Sequence, residues 1–182
     1  MTKSKIIVGI DLGSTKIVTL TAQVNDDSLV DEKVINVIGV SQSDSKGIKK
    51  GQIVDIDEAV GATIFSVEAA ERMAGYSIDK AFVAIGGAHI HSQNSHGVVA
   101  VSNPEGEIGY PDVERAIDAA RAISLPTSRE VLHVLPREFT VDGESGVKDP
   151  IGMSGVRLEV DTHIVTAASA YLKNVRKVIG EA

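Results

Sequence analysis

Asp11-Leu12-Gly13-Ser14-Thr15-Lys16 puts one acid, one glycine, two hydroxyls and one amine into six residues, between two apolar, β-rich runs. Binding a phosphate requires several N–H donors converging on its oxygens, and a glycine turn lets backbone amides approach with no Cβ in the way. Ser14 and Thr15 add hydroxyl donors and Lys16 adds positive charge. Asp11, at a strand end, has the chemistry to hold the waters of a Mg²⁺ ion, which keeps most of its hydration and takes few carboxylates. The same spacing is also that of an ordinary hairpin with a solvated lysine, and short Gly-Ser turns are common. No G-x-x-x-x-G-K-[ST] is present, and Gly9 and Gly13 do not make a G-x-G-x-x-G fingerprint.

The remaining candidates are weaker. His89, His91 and His96 could suggest a metal, but no acid or cysteine accompanies them at a telling spacing, and zinc takes three or four protein ligands. Histidines on a half-exposed sheet are the simpler expectation. Ser43-Asp44-Ser45-Lys46 matches S-x-x-K without the companion motifs of a serine acyl-enzyme. Lys46, Lys49 and Lys50 read as a solvated basic loop. His133 and His163 lie in apolar strands and read as structural.

Positioning the first loop falls to the elements around it. Lys5 to Leu12 and Ile17 to Val24 read as an antiparallel pair, with a third strand from Val34 to Ser41 and a loop over 43–52. Asp55, three residues before Glu58, predicts a helix start, Val60, Ile64 and Val67 recur at helical spacing, and Gly75 suits its stop. Lys80 to Ile85 reads as a strand returning parallel to the first. After Gly86-Gly87 the texture changes: 89–102 alternates like strands, with Asn94 and Gly97 as bend points. A helix is expected over 110–123, with Pro111 in its first turn. Residues 129–141 read as extended with Pro136 at an edge or bulge, 149–155 as a loop, 156–168 as a long strand, and 169–179 as a helix stopped by Gly180. An α+β unit over roughly 86–162 is therefore expected inside a first α/β unit.

Composition narrows the function classes. The 182 residues carry a net charge of −7, which argues against nucleic acid as a partner. Aromatic residues are only 3%, so the core is built from Val, Ile, Leu and Ala. There is no cysteine, which removes disulfides and thiolate metal sites. No apolar run approaches the ~20 residues needed to span a bilayer, and Met1 to Lys5 show no signal-peptide pattern, so a soluble chain is expected.

Taken in order, the segments "IVGIDLGSTKI", "SKGIKKGQIVDIDEA", "AERMAGYSIDKAFVAIGGAHI", "REVLHVLPREFTVDG", "VKDPIGMSGVRLEVDTHIV" and "NVRKVI" resemble the bacterial cell-division FtsA family of the actin-like ATPase superfamily. The resemblance implies an actin-like (ribonuclease H-like) α/β subdomain 1A over about 1–85 and 163–182, incomplete here, with an inserted α+β subdomain 1C over 86–162. It implies that Gly13, Ser14 and Thr15 cradle the β- and γ-phosphates of ATP, that Lys16 reaches a phosphate, and that Asp11 holds Mg²⁺ through water, with no catalytic residue assigned. It also implies self-association into actin-like filaments that tether the FtsZ ring to the cytoplasmic face of the plasma membrane, with 1C facing the next protomer and other divisome proteins.

In the family pattern a second glycine-rich loop, the adenosine pocket, the FtsZ-contacting subdomain 2B and a terminal amphipathic helix would follow Ala182. Weak ATPase activity at most is expected of such a protein, and this chain alone should bind Mg·ATP weakly or not at all. An incomplete sheet should also leave apolar surface uncovered and favour dimerisation or swapping. The alternatives are an ATPase or sugar kinase of the same superfamily, with Asp55 or Asp57 as the acid, and a pilus-assembly relative of the same layout.

Overall fold

A computed structural model describes residues 3–26, 33–103 and 105–182. The chain divides into two compact units, one formed by residues 1–89 with 170–182 and the other by 90–169.

In the first unit β1 (Lys3–Leu12) pairs antiparallel with β2 (Lys16–Asp26), which pairs antiparallel with β3 (Lys33–Asp44). Residues 43–52, expected as a loop, contain a small hairpin of β4 (Ile48–Lys49) and β5 (Gln52–Ile53). Its two turn residues, Lys50 and Gly51, have φ of 49° and 72°. Two consecutive left-handed residues match the twist of a two-residue hairpin, and a lysine in the first position hides that signal from the sequence.

Helix α1 (Ile56–Ala74) follows as expected. Asp55 Oδ1 accepts the Glu58 N–H at 3.0 Å, and Gly75, in the left-handed region, closes the other end by donating to the Glu71 carbonyl. The helix packs on the sheet through small and hydroxyl-bearing residues instead of large ones. Ser66 Oγ lies 2.9 Å from Thr19 Oγ1 and 3.2 Å from Ser41 Oγ, and Ser43 Oγ donates to the Ala62 carbonyl at 3.0 Å. A Cβ on Gly39 would lie 2.7 Å from the Ala70 carbonyl oxygen. The helix therefore sits close over β3 and β2, and these buried hydroxyls are paired as burial requires, whereas the buried Thr21 hydroxyl has no hydrogen-bond partner among the described residues. The chain returns through β6 (Phe82–Ala84), shorter than expected and parallel to β1, giving the strand order β3-β2-β1-β6.

In the second unit β7 (His91–Ala100) is a single uninterrupted strand. Gly97 is a point of close approach, not a bend: a Cβ there would lie 2.3 Å from the Ala116 carbonyl of α2 (Tyr110–Arg121). β8 (Arg129–Val141) and β10 (Arg157–Ala168) pair antiparallel, with a register shift where Thr162 faces Pro136 and Asp161 faces Glu138. Asp142-Gly143 turns β8 into β9 (Glu144–Val147), completing the order β7-β10-β8-β9. Ile108, Ala116, Ala120, Phe139, Val141, Leu158 and Val160 form the core between α2 and this sheet.

Helix α3 (Ser169–Glu181) begins where β10 ends and runs on through Gly180 instead of stopping there. It buries Tyr171, Leu172, Val175 and Val178, and the Tyr171 ring stacks on His89 with centroids 3.5 Å apart. Among the described residues, no helix is long and apolar enough to cross a membrane.

Candidate functional site

β1 and β6 are parallel, so their carboxyl ends open on the same side, where α/β sheets place ligands. Asp11 is paired with Ala84 at those ends. Gly13 follows on the β1 side and Gly86-Gly87 on the β6 side, and the β4–β5 turn brings Gly51 between them. The result is a cavity of about 230 Å³ lined by Asp11, Gly13, Ser14, Gly51, Gly86 and Gly87, with Leu12.

Backbone forms most of this wall because side chains would not fit. A Cβ on Gly51 would lie 2.0 Å from the Gly86 carbonyl oxygen, and one on Gly13 would lie 2.5 Å from that of Lys16. Gly51 N–H donates to Ser14 Oγ at 2.8 Å, which fixes the Ser14 side chain and leaves its own O–H proton to donate elsewhere. Thr15 accepts the Ser45 N–H through its carbonyl at 3.0 Å.

Of the residues singled out in the sequence, Asp11, Gly13 and Ser14 line the cavity. Thr15 and Lys16 are exposed beside it, at the start of β2, and are not part of its lining. Gly51, Gly86 and Gly87 were not singled out as ligand residues. A glycine pair directly after a strand parallel to β1 is the signal that points to the last two.

The cavity is smaller than the ~300–1,000 Å³ of typical small-molecule sites, which suits a phosphate group better than a whole nucleotide. A glycine cradle, one serine hydroxyl and one carboxylate fit a Mg²⁺-bound phosphate chemically. Asp55 is occupied in capping α1, and Ser43 is buried with its hydroxyl committed to Ala62, so neither offers a base or nucleophile here.

The histidines are not gathered together. His89 is stacked on Tyr171 in the first unit, while His91 and His96 lie on β7, an odd number of residues apart and so on opposite faces. Among the described residues, no group of three or more His, Asp or Glu is placed to hold a metal ion.

His96 instead lies between two carboxylates of β10, with Nδ1 3.0 Å from Asp161 and Nε2 2.9 Å from Glu159, which Arg157 also contacts at 2.6 Å. Both ring nitrogens can donate only as imidazolium. The Asp161 hydrogen bond first, and Glu159 with it, raise the His96 pKa against the opposing effect of burial. A histidine raised in this way adds stability that is full below its unfolded value of about 6.5 and is lost as pH rises through the folded value. Asp161→Asn should therefore lower the His96 titration midpoint followed by NMR, and an unmoved midpoint would exclude this coupling.

Comparison with known proteins decides the family. The family model described as the SHS2 domain inserted in FtsA matches residues 87–166. Cell division protein FtsA of Pseudomonas aeruginosa is 41% identical over 175 residues, covering 96% of this chain and 40% of the relative. The chain is an FtsA homologue. The FtsA of Bacillus subtilis is 38% identical over all 182 residues, and that of Escherichia coli K12 is 34% identical over 178. This FtsA homologue spans about 40% of the length of the curated relatives it matches. A chain of a PilM–PilN type IV pilus biogenesis complex superposes with a TM-score of 0.56 over 97% of this chain and 44% of that one, at 12% identity. That likeness shows the fold alone: a partial actin-like sheet carrying the SHS2 insertion, the 1C subdomain.

Proposed function

We propose that this chain supplies the first phosphate loop and the 1C subdomain of an FtsA-type cell-division scaffold. The observation that carries the nucleotide part is the convergence of three glycine turns and Asp11 at the carboxyl ends of two parallel strands. In that role the amides around Gly13 and Gly86-Gly87, with the Ser14 hydroxyl, donate to the β- and γ-phosphate oxygens of ATP. Lys16 and Thr15 approach from the mouth, and Asp11 orients the waters of Mg²⁺. The metal neutralises phosphate charge, and the protein residues bind and orient.

The 1A and 1C subdomains are assigned to about 1–85 with 163–182 and to 86–162. The fuller role rests on family membership: polymerisation, contacts of 1C with divisome proteins, and tethering of FtsZ at the cytoplasmic face of the membrane, the last through regions of the relatives' length beyond the part matched here. A half-cradle of this size binds Mg·ATP weakly. Adding millimolar Mg·ATP to ¹⁵N-labelled chain should shift the amide resonances of Gly13, Ser14, Gly51, Gly86 and Gly87 and spare those of the second unit. If shifts are absent from all five, the phosphate-loop reading fails.

A further inference from the structure

The glycine-lined cavity is short of positive charge. Asp11 is the one charged side chain in its lining among the described residues, and the donors there are backbone amides and the Ser14 hydroxyl. Mg²⁺ offsets only part of the charge of a nucleotide's phosphates, so a carboxylate beside them calls for a cation as well. Lys16 approaches from the start of β2. Another side of the cavity is closed by the β4–β5 hairpin, whose turn is Lys50-Gly51.

The tip of this hairpin touches both parent strands' loops. Gly51 N–H donates to Ser14 Oγ at 2.8 Å on the β1 side. On the β6 side, the Lys50 carbonyl oxygen would lie 3.1 Å from a Cβ on Gly87. At its base, the Gly47 carbonyl accepts the Val54 and Asp55 amides at 2.8 and 3.2 Å, which ties the hairpin to the start of α1. Lys50 is therefore held one peptide bond from a lining residue. That is ~3.8 Å between Cα atoms, and a lysine stem reaches roughly 6 Å further, so its ammonium comes within range of phosphate oxygens in the cavity.

The backbone at Lys50 is costly. Among the described residues, Lys50 and Asp142 are the non-glycine residues with positive φ, both at 49°. Asp142 has a local reason: its carboxylate accepts the Val156 and Arg157 amides at 3.1 and 2.8 Å, and aspartate tolerates this region. Lys50 has neither advantage. The first position of a two-residue hairpin turn of this kind favours Asn, Asp or Gly. The exposed Lys50 side chain also makes no hydrogen bond or ion pair among the described residues. Strained backbone that no internal contact accounts for clusters where ligands are held.

From these features we propose that Lys50 is a phosphate-binding residue, its ammonium donating to phosphate oxygens of ATP in the glycine cradle. The proposal rests on the phosphate-loop reading and adds the cation on the hairpin side. The neighbouring lysines do not share the role. Lys46 lines a separate cavity together with Asp44 and Glu58, and Lys49 lies in the β4 ladder opposite Gln52, one residue farther from the lining.

Lys50→Asn is the informative variant, because asparagine suits the turn and removes the charge. In titrations with Mg·ATP, the initial slope of the Gly13 and Gly86 amide shifts should fall by roughly tenfold or more, the loss expected of a charge-assisted hydrogen bond. Lys50→Arg should keep most of the slope. Lys46→Asn removes the same charge at the other cavity and should lower it by about twofold at most, as a screened distant charge does. Lys50→Asn should melt at or above the temperature of the unaltered chain. A slope that falls no further in Lys50→Asn than in Lys46→Asn, or as far in Lys50→Arg as in Lys50→Asn, overturns the assignment and leaves the phosphate loop standing. Melting of Lys50→Asn well below the unaltered chain also overturns it, since the lysine would then serve the turn itself. No shifts in the unaltered chain would strike the phosphate-loop reading, and Lys50 with it.

Discussion

Replacing Asp112 by alanine should lower the melting temperature by roughly 6–12 °C, because it removes about 3 kcal/mol from a chain of this size. Asp112 is 3% exposed and organises the start of α2. Its Oδ2 accepts the Gly109 N–H at 3.0 Å. Its Oδ1 accepts the Ser102 N–H at 3.1 Å and hydroxyl at 2.8 Å, and also meets the Arg115 guanidinium. Alanine would leave the Gly109 and Ser102 amides with no acceptor in a half-buried turn, and that desolvation cost dominates the loss. Asparagine keeps one acceptor oxygen but turns its NH₂ toward another donor, so Asp112→Asn should recover only part.

The pH dependence separates this account from a simple packing defect. The Gly109 amide first, then Ser102 and Arg115, hold the Asp112 carboxyl far below the usual carboxylate range, against the opposing effect of burial. A depressed carboxyl contributes stability that is complete above its unfolded pKa, about 3.9, and is lost as pH falls through the lower folded value. The gap between unaltered protein and Asp112→Ala, measured by calorimetry, should therefore be full at neutral pH and shrink below about pH 4. A gap constant down to pH 2 would show that the carboxylate charge is not what the turn depends on.

Much of this scaffold is legible in the sequence because its local signals agree with the final packing. Asp55 and Gly75 cap α1 where expected, and β-branched runs pair as the alternation suggests. The misses share one physical cause, that a glycine's reason for being where it is can lie in a distant element. Gly97 accommodates α2, not a bend in its own strand. Asp142-Gly143 and Lys50-Gly51 are hairpin turns whose partner strands are only four and two residues long, too short to show periodicity. Gly180 stops nothing, since a glycine ends a helix only where the chain turns left-handed. At the site, the acid and first turn are contiguous and readable, whereas Gly51 and Gly86-Gly87 join it only once β6 lies against β1.

Gly51 is where this long-range reason has the greatest consequence. Gly51→Ala would place a Cβ 2.0 Å from the Gly86 carbonyl oxygen and 2.9 Å from the Gly87 Cα, both backbone atoms with no rotamer to relieve them. Its φ of 72° adds a left-handed penalty of about 1–2 kcal/mol, and forcing the segments apart adds roughly 1–3 kcal/mol. Gly75→Ala is the matched control: its φ is 63°, but a Cβ there meets nothing within 4 Å, so it carries the backbone penalty alone. Gly51→Ala should accordingly melt several degrees below Gly75→Ala. It should also lose the Mg·ATP-dependent amide shifts that Gly75→Ala retains, because the displaced 86–87 segment no longer closes the cradle. Equal melting temperatures would mean that the two turns do not touch in solution. A lower melting temperature with the shifts intact would mean that phosphate is held without the β6 side, by the Gly13 turn alone.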